Sequence, residues 1–286
     1  MDNALNQRIG AFYDASTELW EEVWGEHLHH GYYGKNGDYV VNRRQAQIDL
    51  IEELLAWSQI QQAQSILDVG CGVGGSTLYL AQKFNSPATG ITLSSLQQQR
   101  GEQRAKAANL EQKITFQLAD ALELPFANDS FDLVWSLESG EHMADKNRFL
   151  QECYRVLQPG GNLILATWCH RSTNSVAGLL TLSEKRLLEQ IYQVYCLPYV
   201  ISLPEYQAIA LNIGFEQIQV DDWSTAVAPF WYKVVESMFE PRSLIGLVQG
   251  NFQTLQSALA VGLMIRGYQR GLIRFGLLSA QKPNLV

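Results

Sequence analysis

The run Ile66-Leu67-Asp68-Val69-Gly70-Cys71-Gly72-Val73-Gly74-Gly75 sets a carboxylate just ahead of closely spaced glycines and a helical pattern at Thr77, Leu80 and Phe84. Glycine lacks the Cβ that keeps a ligand off the backbone, and N–H groups at a helix start attract polar ligand groups. Gly70, Gly72 and Gly75 also satisfy the spacing of dinucleotide-binding loops, so the glycines alone admit a nicotinamide nucleotide. Two residues favour a sulfonium nucleoside, S-adenosylmethionine. Asp68 can receive an amino-acid ammonium directly or through water. Thr92 stands about twenty residues on, where a dinucleotide binder needs an acid for its ribose. Cys71 in the loop and Leu93 after the second predicted strand join this set. Gln97, one turn into the helix after Gly90-Ile91-Thr92-Leu93-Ser94, can bond two ribose hydroxyls, or it is a solvated residue beside Gln98 and Gln99. Asp120, followed by Ala121, offers an acceptor for the adenine amine, or it is a plain turn residue.

These residues need a frame that holds them at one edge. Short apolar runs at 65–69, 89–93, 114–118, 131–136 and 162–168 alternate with helical stretches, which predicts βαβ units and a parallel sheet. The fold class is therefore α/β, doubly wound and Rossmann-like. Ahead of it, Ile9, Phe12, Tyr13, Leu19, Trp20, Val23 and Trp24 recur at spacings of three and four, as do Ile48, Ile51, Leu54 and Leu55. They predict two amphipathic helices around a glycine-rich turn near Tyr32 to Gly37. Pro159-Gly160-Gly161 is expected to stop the helix carrying Phe149, Leu150, Cys153, Val156 and Leu157. A helical insertion follows Arg171, Pro204 opens a helix that Gly214 closes, and strands are expected near Ile218–Trp223 and Arg274–Gln281, with an aromatic helical segment from Ala228. The expected organisation is a cap at 1–60, a cofactor-binding core at 61–171, an insertion at 172–215 and a completing segment with acceptor-site helices at 216–286.

The 286 residues are 47% hydrophobic, and 29 acids against 21 bases give a net charge of −8. A nucleic-acid backbone would be repelled, so a small-molecule partner is expected. Cys71, Cys153, Cys169 and Cys196 form no CxxC pair, which argues against a zinc cluster and fits buried thiols in a reducing compartment. The start carries no basic segment leading into an apolar run, so export is not expected. No stretch of about 18 apolar residues exists to span a bilayer. The expected location is cytoplasmic.

Trp24-Gly25-Glu26-His27-Leu28-His29-His30-Gly31-Tyr32-Tyr33, Gly90-Ile91-Thr92-Leu93-Ser94, Trp135-Ser136-Leu137-Glu138-Ser139-Gly140-Glu141-His142-Met143, Thr167-Trp168-Cys169-His170-Arg171 and Val227-Ala228-Pro229-Phe230-Trp231 together resemble the γ-tocopherol C-methyltransferases. The likeness extends over nearly the whole chain. It implies the class I methyltransferase sheet with a helical lid, and transfer of a methyl group to an aromatic carbon of a prenylated chromanol. Offshoots of the same pattern methylate nitrogen on indole alkaloids, so the small aromatic acceptor stays open between a phenol and an amine. The plant members carry a chloroplast transit segment that does not precede this domain, which suggests a bacterial source.

Transfer from a sulfonium is an in-line displacement, so the protein must hold the nucleophile, exclude water and remove a proton. A phenol has a pKa near 10, and a base that takes its proton raises electron density at the ortho carbon. His142 is the first candidate, after the fourth strand, where ligands of open α/β sheets collect, and Glu138 and Glu141 beside it can orient the ring or accept a proton. The other reading is that the Glu141-His142 pair only fastens its loop. His170, ending the fifth strand, is the second candidate. Ser136 and Tyr32 complete the cofactor-side set, Tyr32 from a lid turn whose aromatic faces can stabilise a sulfonium by about 0.5–2 kcal/mol or be ordinary core. His27, His29 and His30 are read as hydrogen-bonding to lid or cofactor, because no cysteine or carboxylate spacing completes a metal set and methyl transfer needs none. Arg266, Arg270 and Arg274, at helical spacing near Leu263, Met264 and Leu272, form a candidate patch for peripheral membrane contact if the acceptor is prenylated; otherwise they are a solvated face.

Overall fold

A computed structural model describes residues 3–238 and 252–284. The chain opens with helices α1 (Asn3–Trp24) and α2 (Arg43–Trp57) and then alternates β1 (Ile66–Val69), α3 (Gly75–Phe84), β2 (Ala88–Thr92), α4 (Ser95–Ala107), β3 (Ile114–Leu118) and β4 (Phe131–Leu137). After a 3₁₀ turn at Gly140–His142 come α5 (Lys146–Val156), β5 (Leu157–His170), α6 (Leu182–Val194), α7 (Leu203–Ile213) and β6 (Glu216–Asp222). The described chain ends with α8 (Ser224–Val227), α9 (Pro229–Met238), α10 (Phe252–Gln269) and β7 (Ile273–Gln281). Part of the expected acceptor-helix segment, 239–251, lies outside the described residues.

The strands form one seven-stranded sheet in the order β3-β2-β1-β4-β5-β7-β6. The first five are parallel, and β7 runs antiparallel between β5 and β6. All four residues of β1 are buried, as a strand covered on both faces requires, whereas edge strand β6 alternates and keeps most of its residues in solvent. The order reverses between β1 and β4, and the C-terminal ends of strands at such a switch point form a crevice. That crevice receives the glycine loop from β1, Thr92 and Leu93 from β2, Asp120 from the segment after β3, and Glu138 to His142 from the segment after β4.

Two elements depart from the sequence-based expectation. Helix α5 ends at Val156, but Pro159-Gly160-Gly161 lies inside β5, where the pairing with β4 slips between Phe131↔Leu157 and Leu133↔Asn162. Gly160 takes φ +77° there and donates its N–H to the Lys282 carbonyl just past β7 (2.9 Å), while Lys282 N donates back to the Gly161 carbonyl (2.9 Å), so these residues bend a strand instead of closing a helix. The three arginines do not form a stripe. Helix α10 stops at Gln269; Arg274 sits on β7, 3.6 Å from Asp222, and Met264 and Leu272 are fully buried. Among the described residues no helix is long and apolar enough to cross a membrane.

Helix α1 lies over the crevice as a lid. Its Gly10 packs against the β2–α4 connection so closely that a Cβ would stand 2.7 Å from the Leu93 carbonyl oxygen. Asp14 accepts hydrogen bonds from Leu96 N (3.2 Å) and the Ser94 hydroxyl, pairing a negative charge with the N-terminus of α4. In the insertion, α6 opens with a Thr181–Glu184 capping box and packs on α10, while α7 opens with a Ser202–Glu205 box and covers the sheet against α5 and β7.

Candidate active site

The crevice is a cleft bounded by the glycine loop, the ends of β2, β3 and β4, and helix α1. Asp68, Gly70, Cys71, Gly72, Thr92, Leu93, Gln97, Asp120 and Ala121 all line it. Gly70 and Gly72 hold φ of +78° and +54°, a region that L side chains rarely adopt, and a Cβ at Gly72 would meet only Leu28 Cδ1, at 3.9 Å. The loop therefore leaves a bare backbone cradle open to a ligand. Gln97 is buried: its Oε1 accepts from Thr92 Oγ1 at 2.8 Å, and its Nε2 has no partner. A buried amide donor left without an acceptor is costly unless a ligand oxygen meets it. Thr92 thus acts on Gln97 by orienting the amide. Asp68 accepts from Thr77 Oγ1 at 2.6 Å, and burial pushes its carboxyl up to about 7. Asp120 accepts from Leu122 N at 2.9 Å and from Asn6 Nδ2, on the lid, at 2.7 Å.

Two of the expected cofactor residues lie elsewhere. The Ser136 hydroxyl is bonded to Ser139 Oγ at 2.7 Å, and Ser139 in turn donates to the Val69 carbonyl at 2.6 Å, so Ser139 lines the cleft and Ser136 braces it from behind. The Tyr32 ring packs against Tyr39 and Trp223, away from the cleft, because the chain turns at Gly31, which is pressed against Ala46 of α2. From the same turn His27 and His29 do reach the cleft. His29 Nδ1 donates to the His30 carbonyl (2.8 Å), which makes its Nε2 the acceptor for His27 Nδ1–H (3.1 Å). Burial pushes His27 down to about 2, with neighbouring charges adding less, and pushes His29 down to about 4 against the opposing charge of Glu138, so both are neutral donors and acceptors.

Beside the cleft lies a smaller chamber walled mainly by the rings of Phe12, Tyr13, Trp20, Trp24, Trp168, Tyr195, Phe230 and Trp231, with Leu28, His30, Glu138, Glu141 and His142 completing its lining. Tyr13, Leu28, Glu138 and His142 face both spaces and form the passage between them. Glu138 holds φ +55°, an uncommon backbone state for a side-chain-bearing residue and one that clusters at functional sites. Its carboxylate accepts three hydrogen bonds, from His30 N (2.6 Å), His30 Nδ1 (2.7 Å) and Trp168 Nε1 (3.2 Å). Burial alone would raise this carboxyl, but His30 outweighs it and holds it below the usual range, so Glu138 is ionised.

The remaining candidates differ from expectation in their protonation and reach. Burial, with the Lys146 charge nearby, pushes His142 down to about 3, and Tyr13, whose phenol burial pushes far up, donates to its Nε2 at 2.6 Å. His142 is thus a neutral acceptor tying the lid to the loop after β4, not a base matched to a phenol. Glu141 is pushed up to about 8 by burial and then by the charge of Glu138, and it accepts from Thr167 Oγ1 at 2.7 Å. At neutral pH it is an uncharged acid and takes no proton. Glu141→Gln is therefore expected to keep methyl transfer within about threefold of wild type, less than ~1 kcal/mol in the barrier; a loss of about a hundredfold in the same assay would restore Glu141 as a proton acceptor. His170 lines neither space, since its ring turns back to the Arg171 carbonyl (2.7 Å) at the end of β5.

The loop carrying Glu138 to His142 is clamped by a buried lysine that sequence reading missed. Lys146 Nζ donates to the carbonyls of Glu141 (2.9 Å), Met143 and Tyr199 (2.9 Å) and lies 4.8 Å from the centre of the Tyr199 ring. Burial pushes the amine down to about 7, yet three carbonyls match the three N–H bonds of the ammonium form, so this cage suits the charged state. Asn6, Tyr13 and the aromatic walls were also missed as site residues. No local pattern marks them, because their role depends on how α1, α9 and β5 pack together.

The comparisons with known proteins fit this geometry. A family model described as "Methyltransferase domain" matches residues 67–165. A chloroplastic tocopherol O-methyltransferase of Arabidopsis thaliana is 40% identical over 98% of this chain and 83% of its own length. The norajmaline N-methyltransferase of Rauvolfia serpentina is 30% identical over 96% of this chain and 98% of its own. Among solved structures, the geranyl diphosphate C-methyltransferase of Streptomyces coelicolor A3(2), in complex with S-adenosyl-L-homocysteine, superposes with a TM-score of 0.77 at 19% identity, covering 98% of each chain. At that identity the likeness concerns the fold. S-Adenosylmethionine is the methyl donor, and the bare glycine cradle with the unmatched Gln97 amide accommodates it. The chain belongs to the tocopherol methyltransferase family of class I S-adenosylmethionine-dependent methyltransferases.

Proposed function

We propose that the enzyme methylates a ring carbon of a tocopherol-like phenol. The observation that carries this reading is the chamber itself: aromatic rings make up most of its wall, and its ionised carboxylate, Glu138, already accepts three hydrogen bonds. Such a space suits a neutral, flat, apolar acceptor. A protonated amine would have to share the Glu138 carboxylate with those three donors.

In this reading S-adenosylmethionine, when bound, supplies the methyl group as an electrophile whose sulfur keeps the electron pair of the broken bond. Asp68 receives the methionine ammonium, Gln97 Nε2 a ribose hydroxyl and Asp120 the adenine amine, while the lid helix keeps water out. Glu138 and the surrounding rings hold the acceptor against the passage. The test supplies methyl-labelled donor with a prenylated chromanol phenol and with an indole alkaloid amine, and locates the label by NMR. Label on the ring carbon of the phenol is expected. The norajmaline enzyme's likeness keeps nitrogen transfer as the second reading, and label on nitrogen alone would replace the first with it.

A further inference from the structure

Of the histidines, His30 and His142 line the aromatic chamber, and their ring nitrogens are committed differently. His142 has Nε2 filled by Tyr13 at 2.6 Å. His30 is gripped on the opposite side of its ring: Glu138 takes its Nδ1 at 2.7 Å and its backbone N–H at 2.6 Å. An ionised carboxylate has no proton to give, so Nδ1 carries the hydrogen, and the neutral form of the imidazole then keeps its lone pair on Nε2. Trp168 Nε1, at 3.2 Å, holds the same carboxylate oxygen from β5. The imidazole is packed among Phe230, Trp231 and Phe275, with ring centroids 4.8, 5.0 and 5.4 Å away, and is only 1% exposed, so it has little room to turn. The other contact of Nε2 is the Tyr268 hydroxyl at 3.5 Å, too long to be a strong hydrogen bond.

We propose that His30 is the proton acceptor of the reaction, with Glu138 as the positioning residue that presents its Nε2 to the acceptor's hydroxyl. This rests on the phenol reading above. The phenolic O–H bond breaks, its electron pair stays on oxygen, and the proton passes to His30 Nε2. The electron-rich ring forms the new carbon–carbon bond ortho to that oxygen. The hydrogen displaced from the methylated carbon then leaves as a proton to solvent while His30 returns its own to the oxygen, so one proton is released per methyl transferred. Glu138 stabilises the imidazolium between these two steps and is not itself protonated, the arrangement found in carboxylate–histidine dyads.

The test compares wild type with His30→Asn and Glu138→Gln, each first checked for S-adenosylhomocysteine binding by thermal shift. His30→Asn is expected to keep that shift, because His30 does not line the cofactor cleft, and to lose about 10²–10⁴-fold in turnover on an ordinary phenol; Glu138→Gln, on the cleft wall, keeps the size of the side chain there and is expected to keep the shift too. A more acidic phenol, largely ionised at the assay pH, bypasses the base, so its loss in His30→Asn is expected to be at least about tenfold smaller. Binding of p-nitrophenol gives a readout without turnover: its absorbance reports more phenolate in the wild-type chamber than in His30→Asn. Equal losses on both phenols, or identical nitrophenol spectra, would overturn the assignment of His30 while leaving phenol methylation standing. A wild type that methylates no phenol at all would overturn both. Should His30→Asn fail to fold, Glu138→Gln carries the comparison, since a mispresented base predicts the same dependence on phenol acidity.

Discussion

Replacing Gly70 by alanine is expected to abolish S-adenosylhomocysteine binding and to lower the melting temperature by roughly 5–15 °C. Gly70 sits at φ +78°, where a side-chain-bearing residue costs about 1–2 kcal/mol. The new methyl would also stand 2.2 Å from the Cβ of Ser139, far inside contact distance. Ser139 has nowhere to go, because its hydroxyl ties the β4 end, through Ser136, to the Val69 carbonyl of β1. Overpacking of this kind costs about 1–3 kcal/mol in addition. The loop must shift to relieve it, and the shift spoils the cradle. A second substitution separates the terms: Gly70→Ala combined with Ser139→Gly should recover the steric part of the stability and leave the torsional part. Unchanged affinity in the single variant, measured by calorimetry, would mean that the cradle is not the binding element.

Asp68→Asn is expected to weaken S-adenosylhomocysteine by about 10–100-fold, the effect of losing a charged hydrogen bond of roughly 1.5–3 kcal/mol. The wild type should also show a pH dependence that the variant lacks. Burial pushes Asp68 up to about 7, so at pH 6 the free enzyme holds a proton there that an incoming ammonium must displace. Affinity should therefore rise with pH up to about 7 and then level off, with proton release detectable at pH 6 by calorimetry in buffers of different ionisation enthalpy. The stability of the free enzyme runs the other way. A carboxyl whose folded pKa is raised contributes its stability below the unfolded value, and that contribution is lost as pH climbs through about 7. Wild-type affinity that does not change between pH 5.5 and 8 would remove Asp68 from the ammonium site.

Parts of this site were legible in the residues alone for a local reason. A glycine-rich turn, the strand that feeds it and the helix that follows are contiguous, so Asp68, Gly70, Gly72, Thr92 and Gln97 could be read from spacing. The strands were equally readable: β3 spans Ile114–Leu118 as expected, and β1, β2 and β4 fall within a residue of the predicted runs. Thr92 and Gln97 illustrate the limit. Their proximity follows from a helix turn, but that Thr92 donates to one end of the Gln97 amide and leaves the other unmatched does not.

The base is where sequence reading and structure part. His142 and His170 were the first and second candidates because one follows the fourth strand and the other ends the fifth, on the same edge of the sheet. In the fold, His142 meets a hydroxyl from a helix 129 residues away, Tyr13, and burial lowers its basicity. His30, in a turn before the sheet begins, meets Glu138, 108 residues later in the chain, and the role proposed for it rests on that contact.

The order of residue types along this chain, by itself, determined a doubly wound sheet, a loop of bare backbone after its first strand, and the ends of the strands as the place where chemistry collects, because periodicity and turn geometry are properties of neighbours. Only the tertiary structure decided which acids burial and neighbouring charges push up or down, which histidines meet Glu138 and Tyr13, and that aromatic rings from distant helices line one chamber. Protonation and enclosure depend on what surrounds a group in space, and that environment exists only once the lid, the sheet and the later helices have packed against one another.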